Sequence, residues 1–141
     1  MNLAHELHDL VRTLDKWAER ILKPEGLTYN RYVALVIVSE HPGVTGRILA
    51  DALGVSEAAL SGIVRTLLDA GLVENRANTG DGHIRRLAIT ADGSTTLTRC
   101  SALLGSSLDD NARAIGLDPS KLAGDIHALH DEVRTTRTHT S

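Results

Sequence analysis

In "SEAALSGIVRTLLDAGLVENRANTGDGHIRRLAIT", residues 56–90, the apolar spacing changes period at a single glycine. Before Gly71, the residues Leu60, Ile63, Val64, Leu67 and Leu68 recur at helical steps and mark one buried face. After it, "LVENRA" and "IRRLAIT" alternate around the polar "NTGDG", the pattern of a β-hairpin whose turn is relieved by Asn78, Gly80 and Gly82. Ser56 is placed to cap the helix, and Glu57 follows where the helix dipole favours an acid. Immediately upstream, Thr45 opens a short helix, "GRILADAL", with Gly54 as a left-handed C-cap. Helix, tight glycine turn, helix and hairpin in that order leave few folds open.

The flanks are helical. Residues 3–22 place Leu3, Leu7, Leu10, Val11, Leu14, Trp17, Ala18 and Ile21 on one apolar face, and "KPEG" stops that helix at its proline. Thr28 caps a second helix, 29–40, whose apolar run predicts burial on most sides. From Ala91 a long helix is expected to about residue 114, and then another, with Asp118 as N-cap and Pro119 at its first position. The final "RTTRTHTS" reads as frayed. With 141 residues the chain is long enough for a single compact domain with a real core.

Composition removes several classes of function. There is no Phe, and Trp17, Tyr29 and Tyr32 are the whole aromatic set, so aromatic stacking is confined to the N-terminal quarter. The longest apolar run, "VALVIV", is far too short for a membrane span. One cysteine, Cys100, permits no internal disulfide, and no leader pattern opens the chain, so a cytoplasmic setting is expected. Cys100 reads as a packed, inert thiol, because Arg99 points to another helical face. His5 with His8, and His127 with His130, share helical faces, yet no Cys or acidic cluster completes a metal tetrahedron, so no metal is assigned. No nucleophile–base pair or phosphate-cradling loop appears, which points away from an enzyme and from any cofactor.

The net charge is −3, but its distribution matters more than the sum. Asp and Glu dominate residues 91–132, whereas residues 44–90 balance five arginines against five acids.

The order of elements, and above all "LADALGVSEAALSGIVRTLLDAGLVENR" followed by "GDGHIRRLAITADG", resembles the MarR family of winged helix-turn-helix regulators over nearly the whole chain. The resemblance implies a mainly α fold with a small β-hairpin wing, a winged helix-turn-helix domain in an α-helical dimerisation frame. Residues 28–90 would be the DNA-binding region, and 1–27 with 91–141 the dimerisation region. It further implies a homodimer on a palindromic operator of double-stranded DNA, acting as a repressor that a small aromatic ligand releases. The competing expectation is a ligand-binding dimer of the same fold that has lost DNA affinity and works through a protein partner.

Arg47, Arg65, Arg76, Arg85 and Arg86 are the expected phosphate contacts, with Thr66 reaching phosphate or a base edge. Base edges fall to Ser56, Ser61 and small side chains such as Ala59, since an alanine methyl can meet a thymine methyl. Glu57 opens the same helix. Three positions depart from the family, one of them Ala59, which aligns with a position that is often Thr. Its wing Asp and Arg align with Asp81 and His83, so the wing contact is weaker and pH-dependent, or passes to Arg85 or Arg86. A position often Arg or Lys aligns with Gly62, whose presence suggests close backbone approach to DNA or to a neighbouring helix. Trp17, Tyr29 and Tyr32 coincide with the family's ligand cleft, with Arg12 or Lys16 available for an acidic group.

Overall fold

The computed structural model describes residues 1–105 and 107–138. They divide into two compact units, one of residues 1–104 and one of the described residues from 105 on.

The first unit begins with α1 (Leu3–Leu22), a 3-10 turn at Lys23–Glu25 and α2 (Tyr29–Glu40). Thr28 caps α2 by accepting from the Arg31 N–H at 3.2 Å, and Ala34, Leu35 and Val38 on that helix are fully buried. The apolar face of α1 is buried only at its C-terminal end, by Ala18 and Leu22; Leu3, Leu10 and Val11 remain exposed.

A two-residue strand, β1 (Val44–Thr45), leads into α3 (Gly46–Leu53), which Thr45 caps and Gly54 ends at φ 68°. Then follow α4 (Glu57–Asp69), β2 (Val73–Asn75), β3 (Arg86–Ile89) and α5 (Ala91–Leu104). Ser56 caps α4 by accepting from the Ala59 N–H at 3.1 Å. Leu60, Val64 and Leu67 bury its inner face against a core shared with Leu22, Leu35, Val38, Leu49 and Leu87. This alternation of inward Leu/Val and outward small or polar residues fixes which face of α4 is free.

The sheet is antiparallel with strand order β1-β3-β2, pairing Val44 with Leu87 and Val73 with Ile89. The expected hairpin is therefore three-stranded, because a two-residue strand has no period to show in sequence. Nor is its turn tight. Residues 76–85 form a loop with a 3-10 turn at Thr79–Asp81, and of Asn78, Gly80 and Gly82 only Gly82 has a positive φ, 63°.

The long helix expected from residue 91 to about 114 is broken. Gly105, at φ 55°, ends it, and the second unit consists of α6 (Ser107–Ala114) and α7 (Pro119–Thr138). Asp118 accepts from the Ser120 N–H at 3.0 Å, as an N-cap should. Rather than fraying at Arg134, α7 continues through Thr138; residues 139–141 lie outside the described residues. Among the described residues no helix is long and apolar enough to cross a membrane.

Candidate nucleic-acid interface

The free face of α4, the N-terminal turn of α3 and the wing loop enclose an open groove of about 810 Å³. Arg47 enters it from α3, Glu57 and Ser61 from α4, and Asn75, His83, Ile84 and Arg85 from the wing. Gly62, one residue beyond Ser61, is exposed, and a β-carbon built there would have nothing within 4 Å. No helix among the described residues of this chain is thus the reason for this glycine.

The five arginines differ in what holds them. Arg47 and Arg65 are exposed and Arg85 is half-buried, and none has an ion-pair partner among the described residues. Arg76 lies with its Nε 2.7 Å from Glu74 Oε1, and Arg86 Nε lies 3.4 Å from Asp81 Oδ2. These are surface pairs, worth no more than about 1 kcal/mol each. Thr66 has turned its hydroxyl inward, donating to the Gly62 carbonyl at 3.0 Å, so it has no proton left for a phosphate.

The wing is shaped by two side chains, Asn75, which the sequence did not single out, and Asp81. Asn75 Oδ1 accepts from the N–H groups of Ala77 and Arg86, both at 3.0 Å, which closes the loop where β2 and β3 diverge. Asn78 donates its N–H to Asp81 Oδ2 at 2.9 Å, so Asp81 both braces the tip and holds Arg86. His83 follows Gly82 and is exposed in the groove. The bond from Arg86 to Asn75 is not visible before the loop's path is known, because it depends on a backbone group that the path brings near.

A profile described as the MarR family matches residues 25–83, from the end of α1 to the wing tip. The chain belongs to that family. It is 31% identical over 106 residues to the HTH-type transcriptional regulator PetP of Rhodobacter capsulatus, covering 75% of this chain and 63% of PetP. It is 32% identical over 83 residues to the HTH-type transcriptional repressor Rv2887 of Mycobacterium tuberculosis, covering 59% of this chain and 60% of Rv2887. The chain therefore spans less than two thirds of the length of either relative. In fold it matches Rv2887 in complex with salicylic acid, with a TM-score of 0.67 at 26% identity over 93% of this chain and 96% of that one. A mutant MarR from E. coli complexed with operator DNA shares the fold, with a TM-score of 0.76 at 22% identity over 92% of this chain and 91% of that one.

In this MarR-family chain the aromatic residues are only partly drawn together. Tyr29 and Tyr32 stand with ring centroids 6.4 Å apart, and Trp17 makes no ring contact with them among the described residues. Tyr29 donates its N–H to Glu19 Oε1 at 3.0 Å, and the Tyr32 hydroxyl lies 3.0 Å from Ser101 Oγ on α5. Glu19 and Ser101 carry no sequence signal for this role; they arrive through tertiary packing. Arg12 and Lys16 are exposed on α1.

Cys100 is fully buried, and burial, with Glu25 second, pushes its thiol pKa up. Each histidine pair supplies one contact to an acid on its own helix, His5 Nε2 to Asp9 Oδ2 at 3.2 Å and His127 Nε2 to Asp131 Oδ2 at 3.4 Å. Among the described residues no three His, Cys, Asp or Glu groups are arranged to hold a metal ion.

Proposed function

We propose that this chain is a DNA-binding transcriptional regulator that presents the free face of α4 to a major groove and its wing loop to the flanking backbone. The observation carrying this reading is the convergence of Arg47 and Arg85, neither with an ion-pair partner among the described residues, on one groove beside a helix face cleared of bulky side chains, with Arg65 exposed further along the same helix. Cations without protein partners can release counterions from DNA phosphates. The names of PetP, a regulator, and Rv2887, a repressor, support the same role, and repression is the outcome proposed.

A homodimer on a palindromic operator completes the proposal. Exposed Leu3, Leu10 and Val11 on α1, and Leu122, Ile126, Leu129 and Val133 on α7, are the apolar surfaces that residues 1–27 and 91–141 would contribute to it. Two α4 helices then read half-sites roughly 34–36 Å apart. The salicylic acid bound by Rv2887 supports a small aromatic ligand here too, near Tyr29 and Tyr32 with Arg12, Lys16 and Trp17 on α1. A second reading has a specific observation behind it. The unneutralised Glu57 in the groove favours a ligand-binding dimer that acts through a protein partner.

Anisotropy titration against the duplex upstream of the chain's own gene, at two salt concentrations, separates the readings. The regulator loses affinity steeply with salt and loses it altogether on combining Arg65→Ala with Arg86→Ala. Absence of specific binding at low salt would overturn it in favour of the partner-binding dimer.

A further inference from the structure

We infer that Glu57 is a specificity-determining residue that reads a cytosine in the major groove, an inference that rests on the DNA-binding reading above. The outward positions over the first turns of α4 are Glu57, Ala58, Ala59, Ser61, Gly62 and Arg65, all exposed. Between its two ends this face carries nothing longer than serine, and a β-carbon on Gly62 would meet open space. The backbone of α4 can therefore approach base edges closely, with Glu57 the one long side chain at its leading end. Glu57 lines the groove one turn before Ser61, and Arg47, which lines the same groove, makes no ion pair with it among the described residues.

A carboxylate without a protein partner is unfavourable beside phosphates unless DNA itself supplies a proton. An ionised carboxylate only accepts hydrogen bonds. In the major groove only two groups donate, the cytosine N4 amine and the adenine N6 amine. The adenine amine sits between the acceptors N7 of its own ring and O4 of the paired thymine, both of which repel a carboxylate. The cytosine amine has an acceptor on one side only, and the non-polar C5 edge on the other. Glu57 thus favours C·G and penalises every pair that offers it an acceptor or a methyl group. Replacing the carboxylate by an amide inverts the preference, because Gln can donate to adenine N7 while accepting from N6.

The test is selection of the full chain and its Glu57→Gln and Glu57→Ala variants against a pool of randomised duplexes, followed by titration of the enriched sequences. Wild type should require a C·G pair at one position of the recognised sequence, and changing that pair should weaken binding on the order of tenfold. Glu57→Gln should convert that position alone to A·T. Glu57→Ala should lose the preference there, keep the others, and bind unselected DNA more tightly, since a negative charge has gone. Identical enriched sequences for all three proteins would overturn the role of Glu57 while leaving DNA binding intact. No enrichment by wild type would overturn the DNA-binding reading, and the role of Glu57 with it. Ser56 still caps the helix in both variants, so matched thermal melts confirm that they are folded.

Discussion

A β-carbon built on Gly93 would lie 2.0 Å from the carbonyl oxygen of Leu72. The first turn of α5 is thereby pressed against the segment that leaves α4 and enters the wing. Thr90 fastens the same junction, donating its hydroxyl to the Gly71 carbonyl at 2.6 Å and accepting from the Gly93 N–H at 3.0 Å. Gly93→Ala cannot be accommodated by a rotamer change, since the obstacle is backbone. It should cost about 3 kcal/mol, read as a fall in the urea midpoint at unchanged slope. Thr90→Ala should cost about 1 kcal/mol. A Gly93→Ala protein as stable as wild type would mean that the junction is looser than this geometry.

Gly62 makes the opposite case. It lies inside α4 with open space where its side chain would be, so Gly62→Ala should stabilise the protein by roughly 0.5–1 kcal/mol. Gly62→Arg places a cation on the same face and should tighten binding to any duplex, steepening the salt dependence by about one unit. Stability and DNA affinity, measured on both variants, separate the backbone effect from the charge effect.

The contrast between these glycines shows where sequence stops being informative. Caps at Thr28, Thr45 and Ser56 were legible because a capping side chain and the N–H it satisfies are three residues apart. The helical face of α4 was legible from its period. Long-range partners were not: Asn75 bridging to Arg86, Tyr32 meeting Ser101, and the two-residue β1 joining β3 all depend on chain path. The break at Gly105 was missed because apolar spacing continues across it, and a single glycine is tolerated in many helices. Among the arginines, sequence supplied the set, and only the structure separates the three without ion-pair partners among the described residues from the two held by Glu74 and Asp81.

That separation is measurable. Arg47→Ala and Arg65→Ala should each lower the slope of log affinity against log salt by about one, equally on all DNA sequences. Combining Arg76→Ala with Glu74→Ala removes one charge of each sign, and should leave the slope unchanged. A slope insensitive to Arg47 and Arg65 would place the DNA contact elsewhere on the molecule.

Cys100 is fully buried, and burial holds its thiol pKa above the usual value. The reactive thiolate is then scarce as well as inaccessible. A disulfide reagent should label Cys100 promptly in denaturant and, in native buffer, only as fast as the protein opens. Rapid labelling of the native chain would contradict that packing.

His83 occupies the wing where the family resemblance places an arginine, and it is exposed in the groove beside Arg85, with Arg47 from α3 and Glu57 from α4 facing the same space. Asp81, two residues earlier, is occupied by Arg86 and the Asn78 N–H. An imidazole N–H at this position can donate to a phosphate oxygen, whereas an arginine there adds a full positive charge. His83→Ala should therefore weaken DNA binding on all sequences alike. His83→Arg should tighten it and steepen the salt dependence by about one unit. The control is salt: the gain from His83→Arg should shrink at high ionic strength, because it arises from a phosphate contact. Equal affinities for wild type and His83→Ala would assign the wing contact to Arg85 instead.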